Sequence, residues 1–287
     1  MGQSPLVSYL HVTDVTRVTP RVARVTFTGE GLDDFPTWPD QQLKLCFPRA
    51  GQRAPRLPEE DPDDVQRWYQ AFLAIPDAER PWMRSYTVRA HHRERAAIDV
   101  DFVLHPDAGP ATRWARTARP GDVLGRYGPS AGYARPLGDA DTYLLVGDET
   151  ALPAIGSILA SLPVGARAIV YAEVVDAAEE QHLASRAELT VHWLHRGEVP
   201  PGKRDVMLGA VRDAELPGGS VRAWIAGEAG VVRALRRHLV DERGLAKGRI
   251  EFAGYWRLRL TQDDAPTEED LAEARERSAD AARAGDS

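Results

Sequence analysis

One cysteine, Cys46, is found among 287 residues. No disulfide can close within the chain, and no iron–sulfur cluster can be held by four thiolates. Electron chemistry would therefore have to run through an organic cofactor or through iron carried by a substrate. No apolar run approaches the length that crosses a bilayer. Met1-Gly2-Gln3-Ser4-Pro5 has no cationic stretch leading into an apolar one, so a cytoplasmic location is expected. The net charge is −7 and no basic stripe is interleaved with aromatics, which speaks against nucleic acid as a partner. The acid excess lies in residues 59–64 and beyond Asp263 and reads as solvated chain. Internal repeats are absent, and so is the G-x-G-x-x-G fingerprint of dinucleotide folds.

What is present is a composition with 43% hydrophobic and 28% charged residues, enough for two domains. Strands are expected over residues 9–14, 22–28, 43–47, 85–89 and 98–104, short and punctuated by Gly and Pro, as in a small antiparallel β-barrel. Residues 49–81, rich in Pro, Arg and acid, read as an insertion with a helix over 63–75. From about residue 139 the style changes. Strands are expected at 142–146, 168–174, 188–194, 222–226 and 249–255, with helices at 151–162 and 230–242. Such alternation predicts a mostly parallel α/β sheet. A terminal helix is expected over 267–283. The division is thus 1–138, 139–260 and a tail, 261–287.

Five segments can carry chemistry. In Arg84-Ser85-Tyr86-Thr87, period two puts Arg84 and Tyr86 on one face and Ser85 and Thr87 on the other. Such a strand offers a guanidinium to a diphosphate and a ring to a flat cofactor. His105-Pro106-Asp107-Ala108-Gly109-Pro110-Ala111-Thr112-Arg113-Trp114-Ala115 reads as a turn opening a helix, whose first N–H groups suit phosphate. Gly147-Asp148-Glu149-Thr150-Ala151-Leu152-Pro153 follows a buried strand, where a nucleotide loop belongs, yet it brings two carboxylates. Ala226-Gly227-Glu228-Ala229-Gly230 lets a flat ring approach the backbone, or is a plain strand–helix turn. Gly254-Tyr255-Trp256-Arg257 places aromatics at the end of the last strand, as core or as a cover for a ring.

In this order the segments resemble the siderophore-interacting protein family, a branch of the ferredoxin-reductase-type flavoproteins. The match spans about residues 8 to 260, and it includes Asp101-Phe102-Val103-Leu104-His105 and Pro120-Gly121-Asp122. The resemblance implies an FAD-binding β-barrel followed by an NAD(P)-binding α/β domain. It implies reduction of ferric siderophores with release of Fe(II). It places Arg84, Ser85, Tyr86, Thr87, Asp101, Val103, His105, Ala111, Thr112 and Trp114 at FAD. Thr150 and Glu228 fall near NADH or NADPH, and Tyr255 and Trp256 near the flavin ring. Lys44, Lys247, Arg249, Arg257 and Arg259 are candidates for an anionic substrate, although Leu258-Arg259-Leu260 departs from the Gly that the family often has two places after Arg257. Asp176 favours a free ribose hydroxyl, whereas Arg167 or Arg196 would suit a 2′-phosphate. Ferredoxin is a possible alternative donor, and a monomer is expected. A general flavin reductase and a siderophore-binding carrier are the competing readings.

Overall fold

The computed structural model describes residues 5–59, 65–106, 109–129, 137–203, 206–258, 260, 267–268, 271–272 and 275. Seven antiparallel strands make the first half: β1 (Val7–Thr19), β2 (Val22–Gly29), β3 (Gln42–Phe47), β4 (Trp82–Thr87), β5 (Ala90–His92), β6 (Ala97–Val103) and β7 (Val123–Tyr127). Their order is β4-β3-β7-β1-β2-β6-β5. The chain leaving β4 closes the barrel, because Val88 N donates to Gln41 O and Arg89 N donates to Asp99 O, both at 2.8 Å. One face of each strand fills the core, with Leu10, Val25, Phe27, Leu45, Ile98 and Phe102 fully buried.

The expected strand at 85–89 is shifted to 82–87. Pairing with β3 begins at Trp82–Phe47, and the chain must turn at Val88 to cross toward β6. The insertion packs its helix α1 (Val65–Leu73) outside the barrel, where Trp68, Phe72 and Ile75 cover Val7 and Cys46. β7 carries no clear apolar alternation. Gly125 lies against Leu57 of the insertion, and Arg126 is fully buried, donating to Ser8 Oγ, Gly128 O and Glu30 O.

The second half is a five-stranded parallel sheet, ordered β10-β9-β8-β11-β12. Its strands are β8 (Thr142–Asp148), β9 (Arg167–Val174), β10 (Glu188–His195), β11 (Val221–Glu228) and β12 (Ile250–Trp256). Leu145 and Tyr143 face helix α3 (Leu152–Ser161). Leu144 and Val146 face helices α4 (Val206–Arg212) and α5 (Ala229–Arg237). Both faces are covered, which is why these strands read as apolar runs. Strand order reverses between β8 and β11, so the ligand crevice belongs beyond their carboxyl ends. The terminal helix expected over 267–283 lies mostly outside the described residues.

The halves are joined by specific contacts. Trp224 Nε1 donates to Asp40 Oδ2 at 2.8 Å, and Asp40 N donates to Ser157 Oγ at 3.0 Å. Thr19 Oγ1 and Arg21 N both donate to buried Glu179. The Arg89 guanidinium lies so close to Gly156 of α3 that a Cβ there would meet Nε at 2.7 Å. Asp40→Ala leaves the buried Trp224 N–H without an acceptor, at a cost of about 1–3 kcal/mol. Chemical denaturation should show that loss; an unchanged midpoint would contradict the coupling of the halves.

Candidate functional site

The alternation expected around Arg84 is observed. Tyr86 turns inward, its ring 4.5 Å from Phe102 and 6.1 Å from Phe47. Trp114 of α2 (Pro110–Thr117) packs at 5.6 Å from Phe47 and 5.5 Å from Phe102. Tyr86 and Trp114 stay partly exposed above this aromatic floor. Burial pushes the Tyr86 phenol up, against a smaller pull from Arg84. Arg84 lies on the same strand face, with Nη1 donating to Met83 O at 2.8 Å. Gly109 is extended and Pro110 opens α2 without any side-chain cap, so the helix start presents main-chain N–H groups. Ala111 and Thr112 are buried there, and Thr112 Oγ1 donates to Val103 O at 3.3 Å.

Thr87 and Ser85 lie on the other face of β4, and Thr87 faces the second half. The Tyr255 hydroxyl is buried, faces Thr87 and Gln42, and meets neither at hydrogen-bonding geometry. A buried phenol left without a partner at the barrel–sheet boundary fits a cofactor with polar edges. The aromatic floor, the Arg84 guanidinium and the uncapped helix start fit a flavin dinucleotide with its diphosphate. Lys44 Nζ donates to Ser85 Oγ at 3.1 Å, one pleat beyond the Gln42–Thr87 pair and therefore at the rim of this cleft.

Some expected residues have partners within the fold. Asp101 accepts two bonds from Arg24, at 2.7 and 2.8 Å, and its side chain is 1% exposed. It ties β2 to β6. Lys247 and Arg249 precede β12, whereas Tyr255 and Trp256 end it. Six strand steps put them about 20 Å from the cleft, whereas Arg257 adjoins the aromatic pair in sequence. Arg259, Asp107 and Ala108 lie outside the described residues. Arg167 likewise begins β9, near Glu188, at the far end of the sheet. Asp176, beyond β9, caps a short turn by accepting from Ala178 N.

The ends of β8, β11 and β12 meet on one carboxylate. Asp148 Oδ1 accepts from Thr150 N and Thr150 Oγ1, and Oδ2 accepts from Glu228 N at 3.1 Å and Trp256 Nε1 at 2.8 Å. Glu228 in turn caps α5 through Val231 N and accepts from Leu258 N. Thr150 and Glu228, expected at the nicotinamide, are thus committed to holding the strand ends. Arg196 is 5% exposed, grips Glu149 with both terminal nitrogens and lies 3.9 Å from Glu173. It is spent inside the domain and cannot serve a 2′-phosphate. His105 faces Asp148 and Arg196, and burial pushes its imidazole down.

Two buried carboxylates, Glu149 and Glu173, share the Arg196 guanidinium while Asp148 has its own donors, and sequence gives no hint of it beyond the unusual Asp148-Glu149 pair. Burial and then Asp148 push the Glu173 carboxyl up to about 7, with Arg196 opposing. A raised carboxyl contributes stability that is present below its ordinary value and lost as pH rises through its folded value. Thermal stability should fall between about pH 4.5 and 7. Glu173→Gln should flatten that slope; an identical slope in the variant would contradict the assignment.

The family model described as siderophore-interacting FAD-binding domain matches residues 11–133, and the one described as siderophore-interacting protein matches 140–259. The chain is 33% identical over 246 residues to the ferric vibriobactin reductase ViuB of Vibrio cholerae, covering 84% of this chain and 85% of that one. A siderophore utilization protein from T. fusca superposes with a TM-score of 0.78 at 37% identity, covering 91% and 97% of the two chains. A ferredoxin NADP+ reductase from Neisseria gonorrhoeae shares the fold, with a TM-score of 0.58 at 15% identity over 88% of this chain and 99% of that one. With both halves of the chain matched and the barrel–sheet cleft in place, this protein belongs to the siderophore-interacting protein family.

Proposed function

We propose that the chain is an FAD-dependent ferric-siderophore reductase. It passes electrons from NADH or NADPH to siderophore-bound Fe(III) and releases Fe(II). The observations that carry this are the aromatic floor and Arg84 on one face of β4, the uncapped helix start beside that floor, and the unpartnered Tyr255 hydroxyl facing Thr87 at the barrel–sheet boundary. One NAD(P)H and two Fe(III) give NAD(P)+, H+ and two Fe(II). Bound FAD supplies the change from a two-electron donor to one-electron acceptors.

The protein's own part is binding and orientation. Arg84 pairs with the diphosphate, and the N–H groups of Ala111 and Thr112 supplement it. Tyr86 and Trp114 give planar contact, with Val103 and His105 at the margin. Thr87 and Tyr255 offer polar groups to the flavin edge, with Trp256 beside them. Lys44 and Arg257, one on each side of the cleft, attract an anionic iron complex. Asp148 and Glu149 at the nucleotide loop favour reduced ferredoxin as a second donor. One chain supplies both walls of the cleft, which supports a monomer as the working unit. A nicotinamide donor supports the cytoplasm as its setting.

To test the reading, the dithionite-reduced protein is mixed without oxygen with a ferric siderophore and an Fe(II) chelator. Two Fe(II) per flavin are expected; reoxidation by oxygen alone would support a general flavin reductase instead. Arg84→Ala should weaken FAD binding by about 1.5–3 kcal/mol, roughly 10- to 150-fold in Kd. Unchanged FAD affinity in a titration followed by flavin fluorescence would remove Arg84 from the diphosphate site.

A further inference from the structure

The crevice at the switch point between β8 and β11 should hold the diphosphate of a nicotinamide dinucleotide. In such folds the diphosphate draws on main-chain N–H groups at the strand ends that border the switch point, and glycines there let it come close. Both provisions exist here, and both are in use. Thr150 N, on the loop after β8, donates to Asp148 Oδ1, and Glu228 N, at the end of β11, donates to Asp148 Oδ2. The Thr150 hydroxyl and the Trp256 indole N–H complete the set. Gly227 has φ +140°, and a Cβ there would meet Asp148 Oδ2 at 2.6 Å. The room that glycine opens is filled by the chain's own carboxylate. Asp148 is 2% exposed.

We infer that Asp148 is a built-in anion that occupies the dinucleotide diphosphate position and so sets a weak affinity for nicotinamide donors. The inference rests on the proposed donor chemistry and names the residue that limits it. Two neighbours reinforce the effect. Glu149 lies on the same loop, and Glu173 ends the adjacent strand. The Arg196 guanidinium close to them is already held by Glu149. An incoming diphosphate would lose the N–H donors to a competitor and meet like charge as well. Asp148 is therefore a specificity-determining residue that acts by exclusion. A donor that brings no diphosphate to this loop escapes the penalty.

The test measures binding and needs no turnover. ADP-ribose, which carries the diphosphate, and adenosine, which lacks it, are titrated into the FAD-loaded protein by calorimetry. In the wild type, ADP-ribose should bind less than tenfold more tightly than adenosine. Asp148→Asn and Asp148→Ser, accepted only if their visible spectra show full FAD, should tighten ADP-ribose at least tenfold and leave adenosine unchanged. A wild-type preference for ADP-ribose of a hundredfold or more overturns the inference, even if neither variant folds. So does an unchanged ADP-ribose affinity in a variant that holds FAD. Failure of the reductase reading would look different, as a chain that binds no FAD or whose reduced flavin ignores the ferric siderophore.

Discussion

A single buried carboxylate organises the second half of this protein. Asp148 collects donors from the loop after β8, the end of β11 and the end of β12, and so fixes three strand ends relative to one another. Its own burial and the neighbouring Glu149 push its carboxyl up from the ordinary range. Four hydrogen-bond donors offset that cost. Trp256 is thereby oriented, and Tyr255 beside it reaches the barrel. Glu228 extends the same order by holding Leu258.

The barrel meets this arrangement through fixed points. Asp40 binds Trp224 and Ser157, and Glu179 receives the β1–β2 turn. These contacts fix how the barrel meets the sheet where Thr87 faces Tyr255. On the proposed function, a flat cofactor touches both walls and leaves the rim open to a bulky iron complex. The flavin half of the site is built for its ligand. On the nucleotide side, Asp148 and Glu149 stand where a diphosphate would be received.

Much of this was legible in the sequence, for physical reasons. Apolar runs in β8, β9 and β11 announce a sheet covered on both faces, and Arg84 to Thr87 shows its faces through period two. Other parts were hidden. β7 carries a glycine and a buried arginine in place of alternation, because Arg126 satisfies three distant oxygens. α4 has seven residues, too few to display a helical period. Candidate cations were misjudged where spacing says nothing about strand direction, so that Lys247 and Arg249 fell at the wrong end of β12. The partners of Asp101 and Arg196 were also hidden, because a charged residue bears no mark of its partner. Each finds that partner about 50–80 residues away.

The central claim is that the barrel and the sheet together form one flavin site. The most direct measurement is the flavin content of the wild-type chain after gel filtration in flavin-free buffer. The account predicts one FAD per chain, released on denaturation and identified as FAD by its retention time. A chain that emerges folded, colourless and unable to take up added FAD would contradict it.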